Sequence, residues 1–142
     1  MRRIFIDTAH LLAILSPRDN LHGAALAATA DLTAEGDVQF VTTHLVLSEL
    51  LAALSIGGSY VRIRAADFVA DFLNQSEVSV LELSGELFAR GLQFYRSRPD
   101  KSYSLADCVS MIVCRDLEIT DVLTADHDFE QEGFNILLRR RT

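Results

Sequence analysis

The chain has 142 residues, 49% hydrophobic and 23% charged, with two prolines and seven glycines. These proportions suit one compact domain over 1–142 and exclude collagen-like repeats and extended disorder. Thirteen Lys and Arg against twenty Asp and Glu leave a net charge of -7, the wrong sign for holding a polyanion by charge alone, so a nucleic-acid substrate would need a bound divalent cation or a basic rim.

Ile4, Phe5 and Ile6 form an apolar run stopped by Asp7 and Thr8, which predicts a buried first strand. An apolar stretch over 9–15 is broken by Pro17, Arg18, Asp19 and Asn20. An alanine-rich helix over 21–35 follows, capped by Asp19 or Asn20 and stopped by Gly36. The second strand is 38–41. Thr42 or Thr43 caps a helix to about residue 56, Gly57 and Gly58 end it, and Ser59 opens another in which Val61, Ala65, Phe68 and Phe72 recur at helical spacing. The third strand is 78–83, and Ser84 caps a helix through Leu87, Phe88, Leu92 and Tyr95. Residues 96–103 make a charge-rich loop. Ser104 begins a helix to about Leu117, and 122–124 and 134–137 are the fourth and fifth strands.

Strands alternating with helices predict an α/β fold with a parallel sheet covered on both faces, because each parallel crossover needs a connecting helix. No apolar run reaches the roughly 18 residues of a membrane span, and Asp7 interrupts what a signal peptide would continue, so a cytoplasmic protein with no membrane contact is expected. Cys108 and Cys114 fall in one helix, about 9 Å apart by helical rise, too far for a disulfide.

In open α/β sheets chemistry collects outside the carboxyl ends of strands. Asp7 follows the first strand and Asp126 the fourth, Asp107 lies in the first turn of the helix opened by Ser104, and Glu49 lies among Leu45, Ala52, Ala53 and Ile56 on the helix after the second strand. Carboxylates held together repel one another, and a hard divalent cation with oxygen ligands relieves the repulsion. Asp and Glu without paired Cys or an HExxH pattern point to Mg²⁺ or Mn²⁺ rather than zinc. Each acid also has a plainer reading. Asp7 and Asp126 could end strands in turns, Glu49 could edge an apolar stripe, and Ser104 to Asp107 matches a capping box, a role compatible with ligation. Asp128 could replace or assist Asp126.

Phe5-Ile6-Asp7-Thr8, Ser48-Glu49-Leu50, Ser104-Leu105-Ala106-Asp107-Cys108 and Thr124-Ala125-Asp126-His127-Asp128-Phe129, in this order over almost the whole chain, resemble the PIN domain family of metal-dependent ribonucleases. That family includes the toxins of virulence-associated toxin-antitoxin pairs. The segments 100–104 and 129–134 resemble a bacterial subgroup of small single-domain members. The resemblance implies a three-layer α/β/α fold around a twisted, mainly parallel sheet of four to five strands. It implies an acidic quartet of Asp7, Glu49, Asp107 and Asp126 that is both catalytic and metal-holding, with Asp128 auxiliary and Thr8, Ser104 and Thr124 as hydroxyl neighbours. Ala9 stands where Asn or Ser is frequent in the family. The expected partners are an RNA substrate, an antitoxin and a second copy of the chain in a homodimer.

Arg96, Arg98 and Lys101 are candidate RNA contacts or a solvated loop, and the basic run Arg139-Arg140-Arg141 a contact for RNA or an acidic partner, or a polar tail. His10 reads as a substrate contact or a core histidine. The leading functional expectation is a Mg²⁺- or Mn²⁺-dependent endoribonuclease. The alternative is a PIN-like module that binds metal or a partner without turnover. A phosphotransfer receiver domain would need an acidic pair after the first strand and a lysine after the last, whereas Thr8 follows Asp7 and the only lysine is Lys101.

Overall fold

Ile4, Phe5 and Ile6 are consecutive and all buried. Because neighbouring side chains of a strand point to opposite faces, both faces of the sheet are covered at this position. The computed structural model, which describes residues 1–139, places this segment at the centre of the fold. The strands β1 (Arg2–Ile6), β2 (Val38–Thr43), β3 (Val78–Leu81), β4 (Asp121–Leu123) and β5 (Asn135–Ile136) form one sheet in the order β3-β2-β1-β4-β5. Every neighbouring pair is parallel, and Phe5 is in register with Val41 on one side and Val122 on the other. The helices are α1 (Thr8–Leu15), α2 (His22–Glu35), α3 (His44–Leu54), α4 (Ser59–Leu73), α5 (Gly85–Ser97), α6 (Leu105–Asp116) and α7 (His127–Gln131). The α/β/α class expected from the sequence is the class observed.

Local chemistry sets most of the boundaries. The Thr43 hydroxyl accepts from the Val46 N–H at 3.1 Å and caps α3, while Thr42 stays in β2 and donates to the Ile6 carbonyl at 2.7 Å. The Ser84 hydroxyl caps α5 by accepting from Leu87 at 3.1 Å. Gly36 ends α2 at a φ of 72°, in the left-handed region that glycine occupies without cost. Neither Asp19 nor Asn20 caps α2; its N-cap is Leu21, and the Asp19 carboxylate instead turns the chain by accepting from the Leu21 N–H at 2.8 Å. On α4 only Ala65 is fully buried, with Val61, Phe68 and Phe72 half-buried, so the helical spacing was legible but the face is shallower than a core stripe. The helix α7 was not foreseen.

The helix α6 is the best covered in the fold, with Ala106 and all of 108–114 buried, Cys108 and Cys114 among them as free thiols. It packs on α5 at Gly91, where an added Cβ would stand 2.6 Å from Val109 Cγ2 and 3.4 Å from Leu105 Cδ1. Val109 is fully buried and stiff at χ1, so it has little room to yield. Gly91→Ala is therefore expected to destabilise the protein by about 1–2 kcal/mol, overpacking outweighing the gain in helix propensity. Chemical denaturation measures this, and a variant as stable as the wild type would show that the two helices can separate freely.

The chain leaves β1 toward β2 and returns to the other side of β1 at β4, so the strand order reverses between β1 and β4. The crevice outside their carboxyl ends is the position at which such sheets bind ligands. Asp7 follows β1 there, and Thr124 to Asp126 follow β4. Among the described residues no helix is long and apolar enough to cross a membrane.

Candidate functional site

Asp7 is the N-cap residue of α1, yet its side chain makes no capping bond. It instead receives the Thr124 hydroxyl at Oδ2, at 2.9 Å. The same hydroxyl accepts the Asp126 N–H at 3.1 Å, so one fully buried threonine couples the acid after β1 to the acid after β4. On the other side the Thr8 hydroxyl donates to Glu49 Oε1 at 3.0 Å and brings α3 to the same edge. Carboxylates of Asp107, Asp126 and Asp128 each offer an oxygen within 4.8 Å of the others.

Two of these acids are also helix caps. The Ser104 N–H donates to Asp107 Oδ2 and the Ser104 hydroxyl accepts the Asp107 N–H, both at 3.0 Å, which completes a capping box at α6. Ser104 thus holds Asp107 twice, its N–H on the carboxylate and its hydroxyl on the backbone N–H. The Asp126 carboxylate caps α7 by accepting from the Asp128 N–H at 2.9 Å. That turn is what swings Asp128 toward Asp107.

The electrostatics follow from burial and crowding. Asp7, 7% exposed, has its carboxyl pushed up to about 7, chiefly by desolvation and further by the charges of Asp107 and Asp126, with the Thr124 hydrogen bond opposing. Burial also raises the Asp107 carboxyl, with the charges of Asp126 and Glu49 adding to it. Asp128 is raised by burial and by Asp126, and Lys101 opposes this. Four acids expected from the sequence therefore act on one another across one edge of the sheet, and Asp128 joins them. A hard cation with oxygen ligands fits such a donor set, since it would relieve the like-charge repulsion that adds to the effect of burial at Asp7, Asp107 and Asp128.

The expected basic contacts divide. Lys101 is near enough for its charge to act on Asp128, and it lies 3.8 Å from Asp100. Arg96 is exposed in the last turn of α5. Arg98 commits two donors to Glu132, its Nε and Nη2 at 3.2 and 3.1 Å. His10 is a core residue, 3% exposed, with Nε2 at 2.8 Å from Thr29 Oγ1 and its pKa lowered to about 4 by burial. Arg139 is exposed, and Arg140 and Arg141 lie outside the described residues. Sequence reasoning missed the pairing of Arg98 with Glu132, which no local pattern signals across 34 positions.

The PIN domain family profile matches residues 4–135, nearly the whole chain. The chain belongs to the PIN domain family. Among solved structures, this PIN domain is similar to the Mycobacterium tuberculosis toxin VapC20, described as cleaving the sarcin-ricin loop. The two are 25% identical, with a TM-score of 0.79, over 96% of this chain and 99% of that one. It also shares its fold with VapBC2 from Rickettsia felis, crystallised on a DNA fragment from its promoter (14% identity, TM-score 0.66, 96% of this chain and 97% of that one). FitAcB from Neisseria gonorrhoeae has the same fold at 18% identity and a TM-score of 0.61, over 94% of this chain and 96% of that one. No curated protein sequence matches the chain significantly.

Proposed function

We propose that this PIN domain is a divalent-metal-dependent endoribonuclease, the toxin-like subunit of a toxin-antitoxin pair, with Asp7, Glu49, Asp107 and Asp126 as its catalytic carboxylates. The observation that carries the reading is the meeting of acids from four separate segments at the β1/β4 crevice, in a chain with net charge -7. Its likeness to VapC20, described as a sarcin-ricin loop cleaving toxin, supports ribonuclease activity for this chain.

Asp107, Asp126 and Asp128, with Asp7 and Glu49 beside them, would hold Mg²⁺ or Mn²⁺. When bound, such a cation neutralises charge on the scissile phosphate and activates water for its attack. The residues of the chain do the placing. Thr124 and Thr8 fix the Asp7 and Glu49 carboxylates, the Ser104 turn holds Asp107, and Lys101 offers the next phosphate a cation beside Asp128. The proposed protein partners are an antitoxin, in keeping with the fold shared with VapBC2 and FitAcB, and a second copy of the chain. The protein acts in the cytoplasm, where RNA is available.

Purified protein should cleave single-stranded RNA with Mg²⁺ or Mn²⁺ and lose at least about 100-fold of that activity in excess EDTA, because clustered acids repel a phosphate unless a cation intervenes. Cleavage unchanged by EDTA would remove the metal from the reading. Saturable Mn²⁺ binding with no cleavage of any RNA would favour the module without turnover.

A further inference from the structure

Glu132 closes α7 as its C-cap residue, six positions after Asp126, and its side chain is only 7% exposed. Four hydrogen bonds converge on its two carboxylate oxygens. Arg98 donates from Nε to Oε2 at 3.2 Å and from Nη2 to Oε1 at 3.1 Å, Arg115 donates to Oε1 at 2.9 Å, and the Tyr103 hydroxyl donates to Oε2 at 2.9 Å. The donors are themselves held. Arg98 and Arg115 lie over the Phe94 ring at 4.8 and 5.3 Å, and Tyr103 stacks on Phe94 at 6.4 Å.

Two of these partners belong to α6 and its opening, the element that carries Asp107, and the third to the end of α5. Arg98 ends α5, Tyr103 directly precedes the Ser104 cap that holds Asp107, and Arg115 lies in the last turn of α6. The helix α7 has only five residues, too few to stand by its own hydrogen bonds. Phe129, fully buried, sets its depth against the core. An apolar contact sets no azimuth, whereas a bidentate arginine pair does.

We propose that Glu132 is a positioning residue for the acidic site: it ties the end of α7 to the end of α5 through Arg98, to the last turn of α6 through Arg115 and to the residue before the α6 cap through Tyr103, and so fixes Asp126 and Asp128 against Asp107. The inference rests on the metal reading above and goes beyond it by assigning the site's geometry to a residue that touches none of its acids. The arginines hold the Glu132 carboxyl down at about 2, Arg98 foremost, so the lock stays charged throughout the neutral range. Arg98, a candidate RNA contact by sequence, belongs to this framework.

Calorimetric titration of the full chain with Mn²⁺ at neutral pH, at a temperature where every variant is folded, tests the proposal. Glu132→Gln should weaken Mn²⁺ binding about tenfold, the size of effect that supporting groups around metal ligands produce. Tyr103→Phe, which keeps both arginine pairs, should weaken it less but in the same direction. Leu32→Ala, a core truncation in α2, should lower the melting temperature and leave Mn²⁺ affinity unchanged. If Glu132→Gln also melts lower but binds Mn²⁺ as the wild type does, while Asp126→Asn loses binding, Glu132 is only a stability residue and the proposal is overturned. If the wild type binds no Mn²⁺, the metal reading fails and takes the positioning role with it. Should Glu132→Gln not fold, Tyr103→Phe decides by the same criterion.

Discussion

Asp7→Asn protein is expected to lose RNA cleavage by at least about 100-fold, yet to melt at a higher temperature than the wild type above neutral pH without metal. Asn keeps the size of the side chain and an oxygen for the Thr124 hydroxyl, which donates to Asp7 at 2.9 Å, so the substitution removes a charge and little else. In the folded protein the Asp7 carboxyl is pushed up to about 7 from 3.8, by burial first and by Asp107 and Asp126 after it. The native state therefore binds a proton that the unfolded state has released between those two values. Wild-type stability falls as pH rises from about 4 to about 7 on this account, and the loss is complete above that. The variant has no such loss. The stability difference should be small near pH 4 and grow to a few kcal/mol by pH 8, since each tenfold in proton affinity is worth about 1.4 kcal/mol.

His10 titrates over much the same range with the opposite sign. Its pKa is lowered to about 4 by burial, so its contribution is present above about 6.5 and lost as pH falls toward 4. Both proteins carry it, and the difference between them cancels it. Mg²⁺ should raise the melting temperature of the wild type more than that of the variant, because a ligand of the native state stabilises by mass action. Equal metal-induced shifts with cleavage retained would take Asp7 out of the site.

The parts of this molecule that were legible in its sequence are those written in neighbouring residues. Ile4-Phe5-Ile6 followed by Asp7 names both a doubly covered strand and the acid at its end, and Ser104 with Asp107 names the start of α6. The acids after strands could be sorted to one edge because a parallel sheet sends every carboxyl end the same way. What stayed hidden depends on partners distant in sequence or on turns too short to show a period. Helix α7 is one such turn, made by the Asp126 carboxylate accepting from Asp128, although the acids at its start are the residues a helix N-terminus favours. Arg98 is another case. In the sequence it is one of three cations in a polar loop, and only the fold shows that Glu132 has claimed it.

The double duty of Asp126 makes two substitutions at one position diverge. Its carboxylate caps α7 through the Asp128 N–H at 2.9 Å and also stands within 4.8 Å of Asp107 and Asp128. Asn is as good a cap as Asp, so Asp126→Asn should keep α7 in place and remove only the charge. Alanine removes both. Cleavage should fall by at least about 100-fold in either variant, because either loses a proposed ligand. Stability should separate them: Asp126→Ala is expected to lose about 1 kcal/mol relative to Asp126→Asn, the usual worth of an N-cap. Relief of like-charge repulsion is common to both and drops out of the comparison. Urea denaturation without metal, alongside cleavage assays with Mn²⁺, gives the two numbers. Full cleavage by Asp126→Asn, with loss only in the alanine variant, would leave Asp126 as a cap and hand its place in the site to Asp128, whose carboxylate would then have to meet Asp107 alone.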